Sequence, residues 1–185
     1  IDNCGIKSIG ENKVQEFLRK APKLHLENIN KHLIGHLQTN KVKKIVGFAD
    51  LIESVDSVKI AKEIGKCAVN KGIVQDILLE INIAEEESKT GIVPKLFEET
   101  LFEISEIQGL RIKGIMAVPP ICESEQEIFK YFDKIHNIYV DNKAKKIDNV
   151  DMSILSLGMS DDYETAILSG STEVRIGSAI FGSRI

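Results

Sequence analysis

Apolar residues recur along the chain in two alternating rhythms. Short runs rich in Ile, Val and Leu give way to longer stretches in which apolar residues return every three or four positions. The first rhythm belongs to strands buried on both faces, the second to amphipathic helices. The clearest strand is Asp76 to Ile83, DILLEINI, and Arg111 to Val118, RIKGIMAV, reads the same way. Lys31 to Ile34, Phe48 to Ile52, Ser153 to Leu157 and Glu173 to Ile176 follow, with a weaker run at Ile6 to Ile9. Between them, Ile60, Ile64 and Cys67 fall at helical spacing, as do Phe97, Leu101 and Ile104, and then Ile128, Phe132, Ile135 and Tyr139. Asp56 or Ser57 is placed to cap the first of these helices, and Ser124 with Glu127 resembles a capping box. Pro94 suits the first turn of the Phe97 helix, and Ser160 or Asp161 would cap a later one.

These runs make about seven strand-then-helix units with no internal repeat and no linker, so residues 1–185 are expected to form a single domain around a parallel sheet. The pattern fits a (β/α)8 barrel of the TIM type one unit short, or an open doubly wound sheet. No glycine-rich nucleotide fingerprint follows the first strand, which favours the barrel.

Composition narrows the classes of function. With 43% hydrophobic and 28% charged residues and a net charge of -4, the chain has no general attraction for nucleic acid or anionic membrane. No apolar run approaches the ~20 residues a membrane span needs. Cys4, Cys67 and Cys122 are scattered and odd in number, which argues for free thiols and a cytoplasmic setting. The opening residues lack both a signal peptide's pattern and an initiator methionine, so the chain reads as a fragment or processed form.

In such barrels function gathers at the C-terminal ends of the strands. Unusual residues stand there: Gly10-Glu11-Asn12, Gly35 to Lys41, Glu85 to Gly91, Gly158 to Asp162, and Gly177-Ser178. Ser160 and Gly177-Ser178 place unpaired backbone N–H groups and hydroxyls where a phosphate could bind; the alternative is that both serines merely cap helices. Arg175 lies among apolar neighbours and needs either a carboxylate partner or a ligand. His32 and His36 straddle a strand end rather than one helical face, so no metal site is expected. His25 and His136 read as surface residues, and Asp161-Asp162 as complements to a helix dipole.

These residues resemble the pyridoxal phosphate homeostasis protein family. Gly10-Glu11-Asn12 followed by Val14-Gln15-Glu16, His32 to Lys41 (HLIGHLQTNK), Ser88-Lys89-Thr90-Gly91 and Gly114-Ile115-Met116-Ala117 are similar to its motifs, in order. Leu155 to Asp162 (LSLGMSDD), Gly170-Ser171-Thr172 and Val174 to Gly182 (VRIGSAIFG) resemble its most specific stretch. The resemblance implies a barrel related to the N-terminal domain of alanine racemase, with pyridoxal 5'-phosphate (PLP) at its mouth. Ser160, Gly177 and Ser178 would bind the phosphate and Arg175 would face the pyridine nitrogen. Asn12 and His32 would lie near the ring, and Met159 would help wall the site. Lys31 and Leu33 stand where the family often has Trp and Phe.

The family's Schiff-base lysine lies on a first strand upstream of the Gly-Glu-Asn motif. No lysine here matches it, and Ile1 to Gly5 resembles the end of the helix after that strand. The resemblance therefore implies an N-terminally truncated barrel, empty or anion-bound, whose full-length form is a monomeric PLP carrier or buffer serving PLP-dependent apo-enzymes. The two barrel edges left open favour self-association. A racemase of the same fold is the alternative, and a phosphate-binding barrel enzyme unrelated to PLP a third reading.

Overall fold

Seven strands form one parallel sheet whose spatial order repeats the order along the chain, in a computed structural model that describes residues 5–182 apart from His25, Glu27 and Glu87. The strands are β1 (Ser8–Glu11), β2 (Asn30–Leu33), β3 (Leu51–Val55), β4 (Gln75–Ile81), β5 (Leu110–Ala117), β6 (Val150–Met159) and β7 (Glu173–Arg175). Helices α1 (Val14–Lys20), α2 (Val42–Ile45), α3 (Val58–Asn70), α4 (Phe97–Ser105), α5 (Glu125–Lys143), α6 (Tyr163–Leu168) and α7 (Ser178–Phe181) alternate with them. The sheet curls into a nearly closed barrel. Among the described residues β1 and β7 each have a strand partner on one side only. Cys4, His25 and the reading of Ile1 to Gly5 fall largely outside the described residues, of which Gly5 alone is included.

All seven strands stand where the apolar runs predict them, with one informative shift. β3 begins at Leu51 and runs through Glu53-Ser54-Val55, a stretch polar enough to read as loop, yet all five residues are buried. Glu53 points into the barrel and finds partners there, described below.

Two apolar layers hold the barrel. Outside the sheet, Ile60 and Ile64 of α3, Phe97 and Leu101 of α4 and Phe132 of α5 are buried against the strands. Inside, Leu51, Leu78 and Met116 pack together with the partly buried Ile154. Each such fully buried side chain stabilises the fold by about 1.5–3 kcal/mol.

Local signals set the helix ends. Ser57 Oγ accepts the Ile60 N–H at 3.5 Å to start α3. That helix stops at Gly72, whose φ of +66° permits the left-handed turn in which Gly72 N–H bonds to Val69 O and Ile73 N–H to Ala68 O. Ser124 Oγ accepts from Glu127 N–H at 3.3 Å, while the Glu127 carboxylate returns to Glu123 N–H. Pro94 lies in a 3-10 turn just before α4. Ser160 and Asp161 do not cap α6; Asp162 stands at its N-cap, and Asp162 Oδ1 instead accepts the Met159 N–H at 2.5 Å. His136, read as a surface residue, is half-buried on α5. Cys67 is a buried free thiol and Cys122 a half-buried one.

Candidate functional site

The C-terminal ends of the strands meet at one mouth, and three groups of residues build it. The first joins β6, β7 and α7. Ser160 Oγ accepts the Gly177 N–H at 3.1 Å and the Ala179 N–H at 3.2 Å. Among the described residues its hydroxyl hydrogen has no acceptor, and this turn gathers donors around one oxygen. A Cβ placed on Gly177 would meet nothing within 4 Å, leaving an open cradle beside those donors. The start of β7 is held to β6 by side chains: Ser171 Oγ lies 3.0 Å from Leu155 O and 2.9 Å from Leu157 O, and Thr172 Oγ1 accepts the Leu155 N–H at 2.8 Å. Here Gly170-Ser171-Thr172 stitches β7 to β6 where the ladder between them is irregular.

The second group centres on Arg175. Its Nη1 donates to Ser156 O at 2.8 Å and Ser156 Oγ at 2.6 Å, and its Nη2 donates to Ala117 O at 2.8 Å. Among the described residues Nε has no acceptor, so that edge of the guanidinium is free to meet a ligand. Ser156 Oγ in turn donates to Glu53 Oε2 at 2.7 Å. Glu53 Oε1 lies 2.8 Å from His32 Nδ1, and Glu173 Oε1 lies 3.0 Å from the same nitrogen. Residues of β2, β3, β6 and β7 thus form one continuous polar network across the barrel interior.

Electrostatics follows from that geometry. Burial alone would lower the His32 pKa, but Glu173 and Glu53 outweigh it and raise it to about 9. Burial pushes the Glu53 carboxyl up. Burial acts the same way on Glu173, but bonds to His32 prevail and hold it below the ordinary carboxylate range. Burial also pulls the Arg175 pKa down, opposed by Glu53 and Glu173, and a guanidinium stays charged under these conditions. Ligand atoms of His32, Glu53 and Glu173 lie within 4.8 Å of one another. Both Glu53 oxygens and Glu173 Oε1 are engaged in the network, and Arg175 supplies positive charge beside them, which opposes a metal cation there.

The third group lies on the opposite rim. Glu80, on the inward face of β4, accepts the Thr90 hydroxyl at 3.2 Å through Oε1, and its Oε2 is buried without a partner among the described residues. Burial raises its pKa. Asn82 pins the loop after β4 through Glu86 O at 2.8 Å. Lys89 pairs with Glu86 at 2.9 Å and reaches Pro119 O at 3.5 Å, so it ties the loop together.

Of the residues singled out in the sequence, Ser160, Arg175, Gly177, Ser178 and Met159 converge on the β6–β7 side. Met159 stands beside Arg175 in register and is 37% exposed. Asn12 is exposed at the end of β1, packed against the next loop: a Cβ on Gly35 would come within 2.3 Å of Asn12 O. His32 is 5% exposed and faces the interior network. Glu53, Ser156 and Glu173 escaped the sequence reading. The one available signal was Glu53 itself, a carboxylate inside an apolar run that continues to Val55.

Residues 2–185 match the family described as alanine racemase, N-terminal domain. The pyridoxal phosphate homeostasis protein of Aquifex aeolicus (strain VF5) is 43% identical over 183 residues, covering 98% of this chain and 79% of that protein. Its counterpart in Escherichia coli (strain K12) is 35% identical over 185 residues, covering 98% and 78%. The structure of PipY from Synechococcus elongatus PCC7942 with PLP bound aligns at a TM-score of 0.87 and 29% identity, covering 98% of this chain and 84% of that one. Without PLP the same protein aligns at a TM-score of 0.90. Alanine racemase from Clostridium difficile 630 shares the fold, with a TM-score of 0.73 at 11% identity over 99% of this chain and 49% of that one.

Proposed function

The chain belongs to the pyridoxal phosphate homeostasis protein family, within the alanine racemase N-terminal-domain fold, and on that premise we propose that it binds PLP at the barrel mouth as a carrier of the cofactor. The observation that carries the reading is the cradle beside Gly177, where Ser160 gathers two backbone donors and leaves its hydroxyl free. A phosphate group suits that turn, because it can accept from the Ser160 hydroxyl and from the Ser178 N–H at the start of α7, neither of which has an acceptor among the described residues. Ser160, Gly177 and Ser178 hold the phosphate in this reading. Met159 and Asn12 border the ring, and His32 supports the site from the interior.

When bound, PLP supplies a reactive aldehyde and an electron-withdrawing pyridine ring. Arg175 governs how far that ring can be used. Its guanidinium only donates and keeps its proton, so a pyridine nitrogen facing it stays an acceptor. An unprotonated ring withdraws electrons weakly, which suits storage better than carbanion chemistry. Lys89 is engaged in its loop, and we read the contacts of these residues with the cofactor as non-covalent. No helix of the described residues is long and apolar enough to cross a membrane, which agrees with a cytoplasmic carrier passing PLP to dependent apo-enzymes.

Absorbance titration with PLP, followed by mixing with an apo-enzyme, tests the reading. Saturable binding and recovery of the acceptor's activity are expected. Solvent deuterium appearing at the alpha carbon of an amino acid would instead establish a racemase. Failure to bind PLP while inorganic phosphate binds would point to an unrelated phosphate-binding enzyme.

A further inference from the structure

Arg175 is aimed by a chain of buried groups that reaches the far side of the sheet. Two of its nitrogens are tied by three hydrogen bonds, one of them to Ser156 Oγ. That hydroxyl accepts from Arg175 and can therefore give its own hydrogen to Glu53 Oε2. Glu53 is fully buried, and its other oxygen meets His32, which also meets Glu173 on β7. Arg175 and His32 contribute two positive charges and the two carboxylates two negative ones, so the ionised set is neutral overall. Glu80 on β4 and Asp162 after β6 add negative charge nearby. The His32–Glu173 contact joins β2 to β7 across the barrel interior, two strands that share no backbone ladder among the described residues.

We propose that His32, Glu53, Ser156 and Glu173 form one positioning unit, which fixes the Arg175 guanidinium and ties β2 and β3 to β6 and β7 across the barrel interior. The ligand half of this inference rests on the PLP reading above; the positioning half stands on the chain alone. A carboxamide at position 53 either turns a donor toward the protonated His32, breaking that link, or turns it toward Ser156, reversing that bond; both remove the charge that orders the relay. Removing the Ser156 hydroxyl breaks the relay directly.

The chain has four arginines, which makes their side-chain Nε–H resonances separable by nitrogen-correlated NMR. In the ligand-free chain, Glu53→Gln and Ser156→Ala are expected to move or broaden the Arg175 signal while leaving those of Arg19 and Arg111 in place. Affinity for PLP is expected to fall about tenfold in both variants, the effect of weakening a bond to a charged group. Affinity for inorganic phosphate, which meets only the Ser160 and Gly177 turn, is expected to stay unchanged. If Glu53→Gln fails to fold, Ser156→Ala carries the same test with a smaller change. An unmoved Arg175 signal in a folded variant overturns the unit, as does an equal loss of PLP and phosphate affinity. If the wild-type chain ignores PLP while the Arg175 signal moves in the variants, the carrier reading fails and the positioning unit stands.

Discussion

Raising the pH from about 6 to about 9.5 should destabilise the fold through one residue, His32. In the unfolded chain a histidine releases its proton near 6.5; in the fold His32 keeps it to about 9 because Glu173 and Glu53 hold it. Below 6.5 both states carry the proton and the contribution is complete. Between 6.5 and about 9 the unfolded chain alone loses it, so stability falls, and above that range the contribution is gone. At roughly 1.4 kcal/mol per pH unit the loss is about 3 kcal/mol, with little solvent screening for a side chain 5% exposed. Glu53, raised by burial, also favours the fold at lower pH, but its loss begins in the carboxylate range, below the histidine window. Urea unfolding followed by circular dichroism reads the effect directly. With a slope near ~2 kcal/mol per molar, the midpoint should drop by about 1.5 M across the window. His32→Gln should start less stable at low pH and show a nearly flat midpoint through the same range. Equal pH slopes in the two proteins would refute the reasoning, because the loss would then belong to other groups.

Three further outcomes follow from specific contacts. Gly35→Ala drives a Cβ to 2.3 Å from Asn12 O and should cost about 1–3 kcal/mol in thermal or urea unfolding. Gly177→Ala meets open space, so stability should hold within about 0.5 kcal/mol while calorimetric titration shows weaker binding of inorganic phosphate. Asp76→Asn breaks the exposed pair with Arg111, whose nitrogen lies 2.7 Å from the carboxylate, and should cost under about 1 kcal/mol, less still in high salt.

The sequence makes the frame of this molecule plain and hides its interior. DILLEINI and RIKGIMAV are buried on both faces, so an unbroken apolar run marks them, and the helices between them carry spaced apolar stripes. The placement of Ser160 and Gly177 at strand ends is equally legible, because Gly or Ser after an apolar run marks where a strand gives way to a turn. Glu53, Ser156 and Glu173 are invisible for a physical reason. A buried carboxylate is tolerable only beside partners, and those partners lie far away in sequence: His32 is 21 residues from Glu53 and 141 from Glu173. The function of Ser160 was also only half legible. Its hydroxyl does act as a cap, as the plainer reading of a serine in that place holds, but it caps α7 rather than the helix that follows it.

Strand order that repeats chain order has a consequence for how the molecule comes into being. Each strand can pair with the one made just before it, so the sheet can grow by short-range steps as the chain leaves the ribosome. The contact between His32 and Glu173 cannot form that way, since its two halves are made 141 residues apart. Until β7 arrives, Glu53 and His32 wait in a half-built barrel without Arg175. The network around Arg175 therefore cannot close before β7 has been made, and binding at that residue would report that the sheet, from its second strand to its seventh, has been assembled.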